Sequence, residues 1–247
     1  MGVRHDRGVT NQHHPILFVS GAGLSPWVWD GVRHHLTSAS TVAPRPSGHS
    51  DAALLAYAEA AVAAAPTGPF AIVAHSSGGV VGTRVARLVP ERVSGFLAIA
   101  AVIPPPGGSF ISAMPAPNRW LLSAAIRLAG TRPPAKAIRL GLCGGLTQDV
   151  ADRIVADFTP ESARLYLDKA DNRPWTGRRG YLLTAQDREL PLNLQRRFAH
   201  RLGADWVDQI ATGHLPMLQD PAGTAAAVHA FLASCRLPTD GRPADER

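Results

Sequence analysis

The sequence predicts an α/β fold: a mostly parallel, twisted sheet with helices on both faces. Three observations carry this. Short, wholly apolar runs alternate with stretches of helical composition, as parallel strands alternate with crossover helices. The 247 residues, 45% hydrophobic and 18% charged, suit one sizeable domain and exclude a disordered acidic chain or a coiled coil. Finally, one apolar run ends in a serine flanked by small residues, with a helix-like stretch directly after it.

In chain order, Ile16–Ser20 is the first strand and Thr41–Ala43 a weaker one. Ala52–Ala64 has helical composition, Phe70–Ala74 is a buried strand, Val80–Val89 a helix and Val93–Ile103 a strand. The alternation then stops. From Pro104 to about Trp175 there is no strand-like run. The segment opens with Pro104-Pro105-Pro106-Gly107-Gly108 and continues as helix-like pieces at Arg119–Ala129, Ala135–Leu142, Thr147–Phe158 and Glu161–Asp168. An insertion of this length between two strands reads as a lid over a site. Alternation resumes with a strand at Tyr181–Thr184, a helix at Leu192–Leu202, a weaker strand at Trp206–Ile210 and a helix at Thr224–Ala233. Asp220 before Pro221 reads as an N-cap followed by a first-turn proline. The expected organisation is a core of 14–103 and 176–235, a helical lid of 104–175 inserted in the same domain, and flexible polar tails at 1–13 and 236–247.

The net charge of +6 does not imply a nucleic-acid partner. The basic residues are spread along the chain, nearly all are arginine, and the densest groups are pairs such as Arg178–Arg179 and Arg196–Arg197. No apolar run reaches the ~18–20 residues that span a bilayer, so no membrane partner is expected. Arg4, His5, Asp6 and Arg7 sit where the apolar part of a secretory signal would begin, and the expected location is cytoplasmic. Cys143 and Cys235 lie in no metal-binding spacing and are expected reduced. Neither a metal nor an organic cofactor is implied. A monomer or homodimer is expected.

The strongest chemical signal is Phe70-Ala71-Ile72-Val73-Ala74-His75-Ser76-Ser77-Gly78-Gly79. A strand running into a small-x-Ser-x-Gly turn and then a helix forces the serine into a strained conformation, so residues two away on either side must be small. Ala74 and Gly78 meet that demand for Ser76; a turn centred on Ser77 would place His75 where a small residue is needed. The turn aims the Ser76 hydroxyl above the strand end and leaves the Ser77 N–H, at a helix start, facing a developing oxyanion. A nucleotide-binding glycine turn is disfavoured, since no Lys-Ser/Thr pair follows and no GxGxxG precedes.

Three blocks together resemble the α/β-hydrolase superfamily, most closely its small esterase branch, which includes plant methyl-ester esterases, polyneuridine aldehyde esterase and hydroxynitrile lyases. They are Ile16-Leu17-Phe18-Val19-Ser20-Gly21-Ala22-Gly23 through Trp29, Ala74-His75-Ser76-Ser77-Gly78-Gly79, and Tyr181-Leu182-Leu183-Thr184-Ala185-Gln186-Asp187 with Gln195 and Gly213-His214-Leu215-Pro216 downstream. The resemblance implies Ser76 as nucleophile, Asp187 as acid and His214 as base, in the chain order expected of this fold. It implies Ala22 and Ser77 as oxyanion-hole amides. Ser20 stands where the family carries a loop-bracing histidine. The hydroxynitrile lyases of this branch carry a threonine and a lysine where this chain has Gly21 and Leu215, which favours ester hydrolysis over cyanide release.

The residues' own context agrees with these positions. Asp187 competes with Asp168, Asp171, Asp205, Asp208 and Glu189, and it alone lies just past the end of an apolar strand. His214 follows a short strand and a glycine, unlike His13, His14, His34, His35, His49, His200 and His229. Trp27 and Trp29 read as packing beneath the oxyanion loop, and His75 as packing too. The pocket candidates are Gly21, Trp120, Phe158 and Leu215. The expected function is hydrolysis of a small to medium, apolar or aromatic carboxylic ester through an acyl-enzyme on Ser76. A biosynthetic thioesterase or cyclase, a same-fold lyase and a slow-turnover ligand receptor remain open.

Overall fold

The computed structural model describes residues 15–170 and 175–235. The tails expected at 1–13 and 236–247 lie outside the described residues, as do His13, His14 and Asp171. Six strands, β1 (Ile16–Val19), β2 (Ser40–Val42), β3 (Phe70–His75), β4 (Val93–Ile99), β5 (Arg178–Thr184) and β6 (Trp206–Ile210), form one sheet in the order β2-β1-β3-β4-β5-β6. Every neighbouring pair is parallel. Around the sheet run α1 (Asp30–His34), α2 (Leu54–Ala64), α3 (Gly78–Leu88), α9 (Leu192–Leu202), α10 (Pro216–Gln219) and α11 (Pro221–Ser234).

A parallel sheet buried on both faces divides its side chains by a period of two. Leu17, Val19, Ile72 and Ala74 pack with α2, α3 and α9 on one face. Ile16, Phe18, Ala71 and Val73 pack with α1 and α11 on the other. β3 is buried at every position, whereas the edge strands β2 and β6 are half-exposed. The N-cap expected at Asp220 is present: its side chain accepts from Gly223 N at 2.8 Å, with Pro221 in the first turn.

The apolar run beginning at Val93 leaves the sheet at Ile99, four residues before the expected end at Ile103. Ala100 takes a left-handed φ of 41°. The next backbone groups then bond elsewhere: Val102 N donates to Ser76 O at 2.9 Å, and Ala101 O accepts from the Tyr181 hydroxyl at 2.7 Å. Residues 100–103 are buried without being strand.

Between β4 and β5 lie α4 (Phe110–Ala113), α5 (Asn118–Ala129), α6 (Ala135–Leu142), α7 (Gln148–Asp157) and α8 (Ala163–Leu167). Asp168 ties this insertion to the core by accepting from Leu54 N at 3.0 Å. Among the described residues no helix is long and apolar enough to cross a membrane.

The chain runs from β1 outward to β2, then crosses back to β3 on the other side of β1. This reversal opens a crevice at the carboxyl ends of β1 and β3, where open α/β sheets bind ligands. Ser20–Ala22 leave β1 there, and Ser76 leaves β3.

Candidate active site

The turn after β3 is set by sterics. Ser76 has a φ of 52°, a conformation costly for a non-glycine residue. Its carbonyl accepts from Gly79 N at 3.0 Å and Val102 N at 2.9 Å, which holds the turn. A Cβ on Gly78 would lie 2.4 Å from Val19 O, and one on Gly79 2.6 Å from Val102 O. Both must therefore be glycine for α3 to start against the sheet. Gly21 is constrained in the same way, since a Cβ there would come within 2.9 Å of His75 Nδ1 and of Ser76 Cβ.

The Ser76 hydroxyl lies 3.0 Å from His214 Nε2, and His214 Nδ1 lies 2.8 Å from Asp187 Oδ2. Three separate loops bring the groups together, after β3, β5 and β6. Both His214 and Asp187 are buried, while Ser76 is half-buried at the floor of a cleft. Asp187 uses its two oxygens differently. Oδ1 accepts from Glu189 N at 2.8 Å and Leu190 N at 2.9 Å, fixing its own loop. Oδ2 faces His214 and accepts from the Thr184 hydroxyl at 3.0 Å. Burial pushes the Asp187 carboxyl up, but the His214 hydrogen bond and charge, with Leu190 N–H and the Thr184 hydroxyl, outweigh it. The acid is held below the usual carboxylate range.

Gln195, to which the sequence alone assigns no role, braces this loop. Wholly buried, its side-chain amide donates to Leu190 O at 2.7 Å and Thr184 O at 3.0 Å, and its Oε1 accepts from Thr184 N at 2.9 Å. The signal for it is a polar residue in the apolar phase of α9, between Leu194 and Phe198. His75 does more than pack. Its Nε2–H donates to His214 O at 2.8 Å, and burial followed by the nearby His214 ring lowers its pKa to about 3.

Ser77 N lies at the start of α3, and Ala22 sits in the loop after β1, facing it. Ala22 N–H donates to the Ser77 hydroxyl at 2.7 Å. The Ser77 side chain thus engages an amide that the family resemblance assigns to the oxyanion hole. Ser20, in place of the family's histidine, accepts from Trp29 Nε1 at 3.0 Å, and Trp29 stacks on Phe18 at 4.5 Å. Trp27 packs only in part against this core layer. It is half-exposed, donates to Asp157 Oδ2 at 2.9 Å and carries the Arg153 guanidinium over its ring.

A cleft of about 320 Å³ opens above Ser76, Ser77 and Ala22 between α5 and α6. Its walls are mostly apolar: Phe110, Leu122, Ile126, Ile138, Leu142, Phe158 and Tyr166. Of the four pocket candidates, Phe158 lines it. Trp120 does not, being 61% exposed beneath Arg119. The reason is helical phase. Leu122, Ala125, Ile126 and Ala129 share the cleft-facing stripe of α5, and Trp120 falls outside it. Leu215 is buried in the core layer of α10 and α11 rather than in the cleft. Gly21 lines a smaller cavity of about 60 Å³ behind the loop. Among the described residues no group of three or more His, Cys, Asp or Glu side chains is arranged to hold a metal ion.

Residues 16–227 match the family described as alpha/beta hydrolase family. No curated protein matches the chain. Among solved structures, the chain is similar to an extracellular α/β-hydrolase from a Paenibacillus species, described as sharing structural and functional homology with tobacco salicylic acid binding protein 2. Identity is 16% with a TM-score of 0.79, covering 88% of this chain and 98% of that one. Polyneuridine aldehyde esterase aligns at 17% identity and a TM-score of 0.71, covering 90% and 99% of the two chains. Tomato methylketone synthase I, complexed with 2-tridecanone, aligns at 12% identity and 0.74, covering 91% and 99%. With its six parallel strands, its serine turn after β3 and a family match from the first strand into α11, the chain belongs to the alpha/beta hydrolase family.

Proposed function

We propose that the chain hydrolyses a carboxylic ester with a small to medium, apolar or aromatic acyl group through an acyl-enzyme on Ser76. The observation that carries this reading is the Ser76–His214–Asp187 hydrogen-bonded chain at the floor of an apolar cleft. His214 takes the proton from Ser76 as its oxygen attacks the ester carbonyl, then returns it to the departing alcohol. Asp187 keeps the His214 proton on Nδ1 and stabilises the imidazolium. Water, activated by His214, then releases the acid.

The tetrahedral oxyanion is received by the N–H groups of Ser77 and Ala22, the latter turning from the Ser77 hydroxyl to the charged oxygen. That exchange is favourable, since a hydrogen bond to an ionised acceptor is roughly twice as strong as a neutral one. Removing one such donor typically costs about 10²–10³ in rate.

The segment 104–175 acts as the lid, because its helices α5 and α6 wall the cleft above the serine. Leu215 offers no cation beside His214 for a departing cyanide, which supports hydrolysis over lyase chemistry. Esterases and hydrolases among the similar structures support the reaction class, and the cleft's apolar walls support the acyl preference.

The test is hydrolysis of p-nitrophenyl acetate and butyrate, with a fluorophosphonate probe read by mass spectrometry. Turnover abolished by Ser76→Ala, with the probe on the peptide containing Ser76, is the expected result. Turnover or labelling that survives Ser76→Ala overturns the assignment. Cyanide release from mandelonitrile that needs Ser76 would move the chain to lyase chemistry.

A further inference from the structure

Gly23, directly after Ala22, is held by the insertion on three sides. Its N–H donates to Glu161 Oε1 at 3.1 Å, and its carbonyl accepts from Thr159 N at 3.1 Å. The Phe158 ring fills the space where a Cβ on Gly23 would sit, 2.2 Å from that ring, at a backbone φ of +76° that favours glycine. Glu161 is the centre of this grip. Its side chain is 5% exposed and also accepts from Arg45 Nε at 2.7 Å and, through Oε2, from the Tyr57 hydroxyl at 2.9 Å. Tyr57 in turn accepts from Ser162 N at 3.0 Å, and Arg45 donates onward to Leu24 O at 3.1 Å.

A carboxylate shut away from water is costly unless donors converge on it. Three do so here, and one of them is the backbone N–H of the loop that presents Ala22. Gly23 is 138 residues from Glu161 in sequence, so the bond exists only while the insertion is seated on the core. Glu161 does not line the main cleft; it lines the smaller cavity behind the loop.

Resting on the reading of Ala22 N–H as an oxyanion donor, we infer that Glu161 is a positioning residue for this reaction. It fixes the Gly23 peptide, and so aims the Ala22 N–H, and it makes that aim depend on the insertion being seated. Oxyanion donors act over a narrow range of about 2.7–3.1 Å. A displacement of about 1 Å can cost about 10²-fold in rate.

Two kinds of readout on the full chain, backbone exchange and function of the oxyanion hole, test this, using Glu161→Gln and Tyr57→Phe, with Glu161→Ala as the stronger variant. In hydrogen exchange, Glu161→Gln is expected to speed exchange at Gly23–Leu24 by about tenfold or more, while β3 keeps its protection. With p-nitrophenyl butyrate, kcat is expected to fall by about 10–100-fold with KM within about twofold. Affinity for a trifluoromethyl ketone, which forms an anionic adduct in the same hole, is expected to fall by the same factor. Tyr57→Phe removes one of the three partners but leaves the Gly23 bond, and is expected to shift both readouts the same way by less. Unchanged exchange at Gly23–Leu24 overturns the inference, as does exchange that rises equally in β3 or a loss confined to KM. A wild-type chain without ester hydrolysis defeats the functional reading instead, and the exchange result still decides whether Glu161 holds the loop. Should Glu161→Ala fail to fold, the two milder variants carry both measurements.

Discussion

The backbone N–H of Ala22 donates to the side-chain oxygen of Ser77, 55 residues away, at 2.7 Å. The residue proposed to supply one oxyanion donor by its backbone therefore occupies the other donor with its hydroxyl. Because Glu161 and Thr159 hold Gly23 independently, the loop keeps its place without this bond. Ser77→Ala is expected to free the Ala22 N–H and raise kcat by about 2–10-fold, the worth of one neutral hydrogen bond. Steady-state kinetics with p-nitrophenyl butyrate decide it. A tenfold fall would mean that the hydroxyl supports the loop.

Asp187→Asn is expected to leave the fold intact and disable the chemistry. An asparagine oxygen can still accept from Glu189 N and Leu190 N, while its amide would face His214 and reverse the tautomer. A loss of about 10⁴ in kcat, with KM changed only slightly, is the expected scale. A loss under about tenfold, at unchanged melting temperature, would mean another carboxylate serves His214.

The serine turn was legible because its demands are local: Ala74 and Gly78 lie within two residues of Ser76. The central strands were legible because burial on both faces leaves continuous apolar runs, and the edge strands β2 and β6 read weakly because they are half-exposed. The overrun at Val93–Ile103 arose because burial alone does not distinguish strand from the left-handed bend at Ala100. Trp120 was misplaced because α5 carries apolar residues around much of its circumference, so its phase against the core is set only by packing. Glu161 was invisible as a site residue, since its partners Gly23, Arg45 and Tyr57 lie 138, 116 and 104 residues away.

Acid should weaken the fold partly through His75. Its pKa is lowered to about 3, against an unfolded value of about 6.5. Between these limits the unfolded chain binds a proton that the folded chain refuses, so stability falls as pH drops below about 6.5. One such group contributes at most about 1.4 kcal/mol per pH unit. Denaturant titrations of wild type and His75→Gln from about pH 7 to pH 4 are expected to show the shallower pH dependence in the variant. Parallel curves would indicate that carboxylates such as Asp187 dominate.

The cleft walls should set chain-length preference. Leu122→Trp narrows the space above Ser76 and is expected to lower kcat/KM for p-nitrophenyl octanoate, relative to acetate, by about tenfold or more. Trp120→Ala, on the exposed side of the same helix, is expected to leave that ratio unchanged. Equal losses on both esters from Leu122→Trp would mean that α5 holds the fold and not the acyl chain.

The grip of residues 158–161 on Gly23 also bears on how this scaffold can diversify. Recombination that replaces 104–175 as a block would remove the fastening of the loop along with the cleft walls, and the chimaera would inherit a new pocket over a slack hole. An exchange confined to α5 and α6 leaves Phe158, Thr159 and Glu161 in place. The α5 and α6 walls of the cleft and the fastening of the loop thus lie on adjoining stretches of one insertion, which meet at Phe158, a residue that lines the cleft and packs on Gly23.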